Sequence, residues 1–312
     1  MKIGILEPKD FSIKATSVLV KIGKLYLFTS GTLNKFLFDK DILFTRLGIL
    51  IDKEFLKSAR SLKYICTPTT GLNHIDLNEC EKRNIKIISL KGEYEFLSKI
   101  RATPEHTFGL VLSLLRNYKK AFMNCHNSMW DRDLYKGYEL FENTVGIIGI
   151  GRVGRILVKY FEAFGANVYF YDKVKSKTVG KSAIKCDSIE HVIALSNIII
   201  LCASYSKIKP IIIDKKKIDL LEGKYFINTS RGELIDETYL IKKIKQNYFS
   251  GVAIDTIQNE QTENNFNELV NLAKYKNFII TPHIGGATYN SMKKTEEYIV
   301  NKLEKHIKKY NI

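Results

Sequence analysis

The apolar residues of this chain fall in short β-prone runs separated by stretches with helical periodicity. In the first hundred residues the runs are Lys2 to Leu6, Lys24 to Phe28, Asp41 to Phe44, Lys63 to Cys66 and Ile85 to Ile88. Helical stretches lie near Ser12 to Lys21, Asp52 to Ala59 and Asp76 to Arg83. Strands alternating with helices predict a parallel sheet, with its ligand loops at the carboxyl ends of the strands. A longer helical segment, Thr103 to Tyr118, carries a wide apolar face of Phe108, Leu110, Val111, Leu112, Leu114 and Leu115, with Thr103 placed to cap it and Pro104 to open it. This segment reads as a bridge into a second domain. The stretch Ala121 to Asn143, which holds the only tryptophan, Trp130, is mixed in character and is expected to pack beside the bridge or against another subunit.

The strand-and-helix alternation resumes at Thr144. Val145 to Ile148, Asn167 to Tyr171, Ile198 to Cys202, Tyr225 to Asn228, Gly251 to Ile254 and Phe278 to Thr281 read as successive strands of a doubly wound sheet. Helices near Arg152 to Phe164, Asp236 to Gln246 and Phe266 to Ala273 connect several of them, and a shorter one precedes Ile198. A last helix, Tyr289 to Tyr310, is too long and too charged to continue that sheet simply, and a return to the first domain would explain it.

Composition narrows the class. A chain of 312 residues, 45% hydrophobic and 26% charged, can form two domains with separate cores. No apolar run approaches the roughly 18–20 residues of a membrane span, and the N-terminus enters a strand at once without the features of a signal peptide, so a cytoplasmic location is expected. The five cysteines are scattered with no Cys-x-x-Cys spacing, which argues for free thiols and against a metal site. The net charge of +16 comes from lysines spread along the whole chain, without an arginine-rich arm. It therefore reads as a solvated surface that draws in anionic small molecules, not as a nucleic-acid site.

The densest chemistry lies between Thr144 and Asp172, where a strand, the turn Gly149-Ile150-Gly151-Arg152-Val153-Gly154, a helix and a second strand ending in an acid follow in order. Gly149 permits the tight turn, Gly151 lets a diphosphate approach bare backbone, and Gly154 lets the helix pack on the strand. The helix N-terminus offers N–H donors to the phosphates. Asp172 at the second strand's tip suits the two ribose hydroxyls of NAD and would repel the 2′-phosphate of NADP, with Lys173 and Lys175 weakening the preference. Three later strand ends carry Thr229-Ser230-Arg231, Asp255-Thr256-Ile257-Gln258-Asn259-Glu260 and Thr281-Pro282-His283. In the first domain the loop Thr67-Pro68-Thr69-Thr70-Gly71 offers hydroxyls and a glycine to a small anion.

In order and spacing these motifs resemble the D-isomer-specific 2-hydroxyacid dehydrogenases, most closely the phosphoglycerate branch, from Leu62 to Ala287. The resemblance implies an α/β fold of two doubly wound parallel-sheet domains, a Rossmann NAD-binding domain (102–284) inserted in a split flavodoxin-like substrate-binding domain (1–101 and 285–312). It implies His283 as general acid/base, Glu260 as its carboxylate partner and Arg231 as binder of the substrate carboxylate. Gly149, Gly151, Arg152, Val153, Gly154, Asp172, Ser230 and Asp255 would contact NAD, and Thr69, Thr70 and Gly71 the substrate. The expected reaction interconverts a small D-2-hydroxy acid and its 2-keto acid, with 3-phosphoglycerate the leading substrate. Hydroxypyruvate, glyoxylate or D-lactate chemistry is the alternative, and a non-catalytic NAD(H)-sensing protein a further one. The expected assembly is a homodimer built around residues 103–140, with no metal, membrane or nucleic-acid partner. The chain departs from the family pattern at Thr67, where phosphoglycerate enzymes commonly carry arginine, at Cys202-Ala203-Ser204 in place of His-x-Pro, at Pro210 and at Gln261. No regulatory domain is expected after Ile312.

Overall fold

The structure is a computed structural model that describes residues 1–174, 179–206 and 211–310; Lys175 and Pro210 lie outside the described residues. The chain divides into two compact units, one of residues 1–100 and 287–312 and one of residues 101–286.

The first unit holds five parallel strands: β1 (Lys2–Ile5), β2 (Lys24–Leu27), β3 (Ile42–Phe44), β4 (Tyr64–Thr67) and β5 (Lys86–Ser89). Their order is β2-β1-β3-β4-β5, the flavodoxin-like winding. Successive side chains alternate between two apolar layers, as the two-residue period of a strand requires. Ile3, Ile5, Ile42, Phe44, Tyr64, Cys66 and Ile88 pack on one face, and Leu43 and Ile65 on the other. The last helix, Tyr289–Tyr310, returns to this unit and seats Ile299, Val300, Leu303 and Ile307 in the first layer. Most of its charged residues stand on the outer side, while Glu296 is buried and Lys302 donates to the Ser89 carbonyl at the end of β5 at 3.0 Å.

The second unit holds seven parallel strands: β6 (Thr144–Ile148), β7 (Asn167–Tyr171), β8 (Ile184–Lys185), β9 (Ile198–Leu201), β10 (Tyr225–Asn228), β11 (Gly251–Ile254) and β12 (Phe278–Ile280). The order β12-β11-β10-β9-β6-β7-β8 is the Rossmann winding with one strand added, and the direction of winding reverses between β6 and β9. Val145, Ile147, Ile198 and Ile200 fill one face, and Ile199, Leu201, Phe226 and Val252 the other. The expected fold class is observed in both units.

The bridge differs from expectation in detail. Its helix runs Ala102–Leu115 with Arg101 in the capping position, so Pro104 is the third helical residue, and the Thr103 carbonyl accepts the Thr107 hydroxyl. Proline is tolerated there because the amides of the first turn lack intrahelical partners in any case. The helix stops before Asn117, which takes a left-handed conformation, and a second helix covers Tyr118–His126. Trp130 is 94% exposed.

Candidate active site

The glycine turn shows three different reasons for glycine. Gly149 has a positive φ of 99°, and a Cβ there would stand 2.8 Å from the Ala203 amide at the tip of β9. A Cβ on Gly154 would stand 2.3 Å from the Gly149 carbonyl oxygen, which explains how the helix Arg152–Ala163 sits so close to the turn. At Gly151, the residue before that helix, a Cβ would meet nothing within 4 Å. That open flank at a helix N-terminus fits a diphosphate. Asp172, one residue past β7, accepts the Ile150 amide at 2.6 Å and the Val174 amide at 2.9 Å, so its carboxylate also ties the glycine turn down. Burial, with Arg101 nearby, works against the charge of Arg152, and Val153 packs against the sheet's core. The Ser230 hydroxyl donates to the Leu201 carbonyl at 2.7 Å, locking the end of β10 to the end of β9.

Beyond β10, β11 and β12 the structure gathers ionisable side chains. His283 Nδ1 lies 2.6 Å from Glu260 Oε2, and each side chain keeps about a fifth of its surface exposed. Arg231 follows β10 and donates from Nη1 to the Ser230 carbonyl at 2.6 Å. Burial works against its charge, and the carboxylates of Glu260, Glu233 and Asp255 favour it. His283 takes a left-handed φ of 53°, a conformation that is unfavourable for a residue with a Cβ. Asp255, only 1% exposed, compensates. Its carbonyl accepts the His283 amide at 2.8 Å, Oδ1 accepts the Ile284 amide at 2.8 Å, and Oδ2 accepts the Gly285 amide at 2.8 Å. Burial raises the Asp255 pKa, but hydrogen bonds from His106, Thr281, Gly285 and Ile284 outweigh burial and hold it below the ordinary aspartate value.

The pattern along the chain did not single out His106, Thr281 or Glu237. His106, on the bridge helix, places Nε2 at 3.1 Å from the Thr281 hydroxyl and 3.3 Å from Asp255 Oδ1. Thr281 donates to Asp255 Oδ1 at 2.6 Å. No spacing rule finds a partner 175 residues away in the sequence. Among the described residues, no group of three or more His, Cys, Asp or Glu side chains could hold a metal ion.

Thr69, Thr70 and Gly71 belong to the first unit and follow β4. The Thr67 hydroxyl, fully buried, pairs with that of Thr69 at 2.9 Å, and Thr69 Oγ1 also reaches the Gly71 carbonyl at 2.9 Å. Those hydroxyls shape the loop, while Thr70 is exposed. At the end of β3, Arg46 gives both Nε (3.0 Å) and Nη2 (2.6 Å) to Glu296 Oε1.

A Rossmann-wound unit with a glycine turn, an acid at the next strand tip and a histidine–carboxylate pair defines a dinucleotide-binding oxidoreductase class. The family model for the NAD-binding domain of D-isomer-specific 2-hydroxyacid dehydrogenases matches residues 108–285. The chain belongs to that family, and its cofactor is NAD. It is 28% identical to a D-3-phosphoglycerate dehydrogenase of Methanocaldococcus jannaschii over 97% of its own length, and spans 57% of that protein. It is 27% identical to a glyoxylate reductase of Pyrococcus furiosus, over 85% of this chain and 79% of the other. Among solved structures, D-lactate dehydrogenase from Aquifex aeolicus, complexed with NAD and lactic acid, superposes with a TM-score of 0.83 at 25% identity, covering 99% of this chain and 96% of that one.

Proposed function

We propose that the chain interconverts a small D-2-hydroxy acid and its 2-keto acid. The observation that carries this reading is the 2.6 Å pairing of His283 Nδ1 with Glu260 in the strand-end cluster that also holds Arg231. NADH, when bound, supplies the hydride that adds to the carbonyl carbon. With Nδ1 held by Glu260, the other ring nitrogen of His283 gives its proton to the keto oxygen, and takes it back when the hydroxy acid is oxidised. Glu260 orients the ring and stabilises its positive charge. Arg231, with planar paired donors and a permanent charge, neutralises the substrate carboxylate. The glycine turn and Asp172 hold the dinucleotide, with Arg152, Val153, Ser230 and Asp255 beside it, and Thr69, Thr70 and Gly71 offer backbone donors to the substrate.

Similarity to the phosphoglycerate enzyme over nearly the whole chain supports 3-phosphoglycerate as substrate. One feature of the first unit favours a second reading, a reductase of glyoxylate or hydroxypyruvate. Thr67 brings no charge to its loop, and the Arg46 guanidinium is neutralised by Glu296. The assembly we propose is a homodimer that covers the exposed Phe122, Met123, Trp130, Leu134 and Tyr138. The proposed location is the cytoplasm, in keeping with five free cysteines.

Steady-state reduction of phosphohydroxypyruvate, hydroxypyruvate, glyoxylate and pyruvate with NADH and NADPH tests the reading. His283→Ala should lower kcat by roughly 100- to 10,000-fold, the usual worth of a general acid, and leave NADH affinity unchanged. Undiminished turnover would remove His283 from this role. NADH binding without reduction of any 2-keto acid would favour a sensing protein.

A further inference from the structure

The helix Glu237–Lys245 opens with an acid whose side chain is only 3% exposed and which the hydride-transfer reading leaves without a task. Its two carboxylate oxygens take different partners. Oε2 accepts the backbone amide of Gln258 at 2.8 Å, and Oε1 accepts the Asn265 side-chain amide at 3.0 Å. Those two residues bracket the segment that carries Glu260. The same stretch of chain grips the segment a second way. A Cβ on Gly232 would stand 2.0 Å from the Ile257 carbonyl carbon and 2.3 Å from the Gln258 amide nitrogen, so the turn after Arg231 lies directly on that peptide. Gln258 closes the arrangement by donating from Nε2 to the Ile235 carbonyl at 2.8 Å. Downstream, Asn259 takes a left-handed φ of 55°, and the Asn264 side chain reaches the Asn259 carbonyl at 3.2 Å and that of Thr262 at 3.1 Å.

We propose that Glu237 is a positioning residue for the acid/base pair: with Gly232 it clamps the Ile257–Gln258 peptide and thereby sets the Glu260 carboxylate against His283. The inference rests on the reading of His283 and Glu260 given above. Because Gly232 directly follows Arg231, the clamp also ties the guanidinium and the carboxylate to one stretch of backbone, so the substrate anchor and the proton-transfer pair share a reference frame.

An acid kept in this place is costly. Burial raises the Glu237 pKa, with Glu233 and Glu260 adding to the rise, and the bonds from Gln258 and Asn265 oppose it. If the side chain served packing alone, an apolar residue of the same size would stabilise the fold as well or better. What an apolar residue lacks is two acceptors aimed at two donors on a loop.

Glu237→Gln tests the clamp. The glutamine is nearly isosteric but has one acceptor, so its amide nitrogen must face one of the two donors and one tie is lost. The readouts are kcat with the preferred 2-keto acid, NADH affinity, and the downfield proton resonance of His283 Nδ1 in protein labelled with ¹⁵N-histidine. Glu237→Gln should lower kcat at least tenfold, leave the NADH Kd within twofold of the wild type, and lose the resonance, the same loss expected of Glu260→Gln. Glu268→Gln, on the outer side of the helix Phe266–Tyr275 where the side chain is 42% exposed and pairs only with Lys245 among the ion pairs of the described residues, should change none of them. If Glu237→Gln does not fold, Asn265→Ala removes one tie without introducing a buried donor, and the same losses are expected. Retention of the resonance in the folded variant overturns the clamp whatever happens to kcat. If the wild type reduces no 2-keto acid, the catalytic reading fails on its own, and the resonance still decides whether Glu237 holds Glu260 in place.

Discussion

Asp255→Asn is the substitution whose consequence can be worked most fully from the structure. The aspartate accepts the Thr281 hydroxyl and Ile284 amide on one oxygen and the Gly285 amide on the other. Asparagine keeps one acceptor oxygen and turns a donor toward the remaining partner. The best orientation preserves the Thr281 and Ile284 bonds and leaves the Gly285 amide facing an N–H. A hydrogen bond to a charged group contributes roughly 1.5–3 kcal/mol, and the strain at the left-handed His283 is carried by both proteins and adds nothing to the difference. A destabilisation of about 1.5–3 kcal/mol follows, or a fall in Tm of roughly 3–12 °C at about 2–4 °C per kcal/mol for a unit of this size. The pH dependence has a definite sign. Asp255 is depressed in the folded protein, so its contribution is fully present above the unfolded carboxylate value near ~3.9 and is lost as pH falls through the lower folded value. The gap between wild type and Asp255→Asn should therefore be constant from about pH 6 to 8 and narrow below about pH 4. Thermal unfolding followed by far-UV circular dichroism across that range measures it. A Tm within about 2 °C of the wild type at pH 7, or a gap that widens on acidification, refutes the account.

Two further predictions concern the cofactor turn. Gly154→Ala places a methyl 2.3 Å from the Gly149 carbonyl and should weaken both folding and NADH binding, whereas Gly151→Ala meets open space and should weaken NADH binding at wild-type stability. Calorimetric titration beside a melting curve distinguishes them, and equal losses of stability would show that the turn is not packed as described. Asp172→Ser should raise the ratio of kcat/KM for NADPH over NADH by about tenfold, since the repulsion of a 2′-phosphate is removed. It should also cost some stability through the unpaired Ile150 amide. An unchanged ratio in parallel steady-state assays would mean that this carboxylate does not choose the cofactor.

Much of this molecule was legible from order along the chain, because the signals were local. An apolar run of four residues, a glycine turn opening a helix and an acid one strand later each span a few residues, and eleven of the strands seen in the two sheets lie within a residue of the runs that predicted them. Where local signals were short or conflicting, the reading missed. The helices Leu33–Leu37, Tyr94–Leu97 and Lys215–Asp219 and the two-residue strand β8 are too brief to show a period. The bridge helix began at Ala102 because a proline can stand anywhere in a first turn. Composition and motif order indicated which residues could do chemistry. They could not say which of them would touch. Hydrogen bonds join the Asp255 carboxylate to Thr281 and the Glu237 carboxylate to Gln258, and His106 comes within 3.3 Å of Asp255, over sequence separations that carry no periodic signal. Such contacts exist only once parallel strands have brought their carboxyl ends to one edge of the sheet. The sequence by itself therefore determined the elements, the glycine turn and which ionisable groups stand at the strand ends, whereas the tertiary structure decided their pairing, their burial and the strain at His283, because those depend on distance in space.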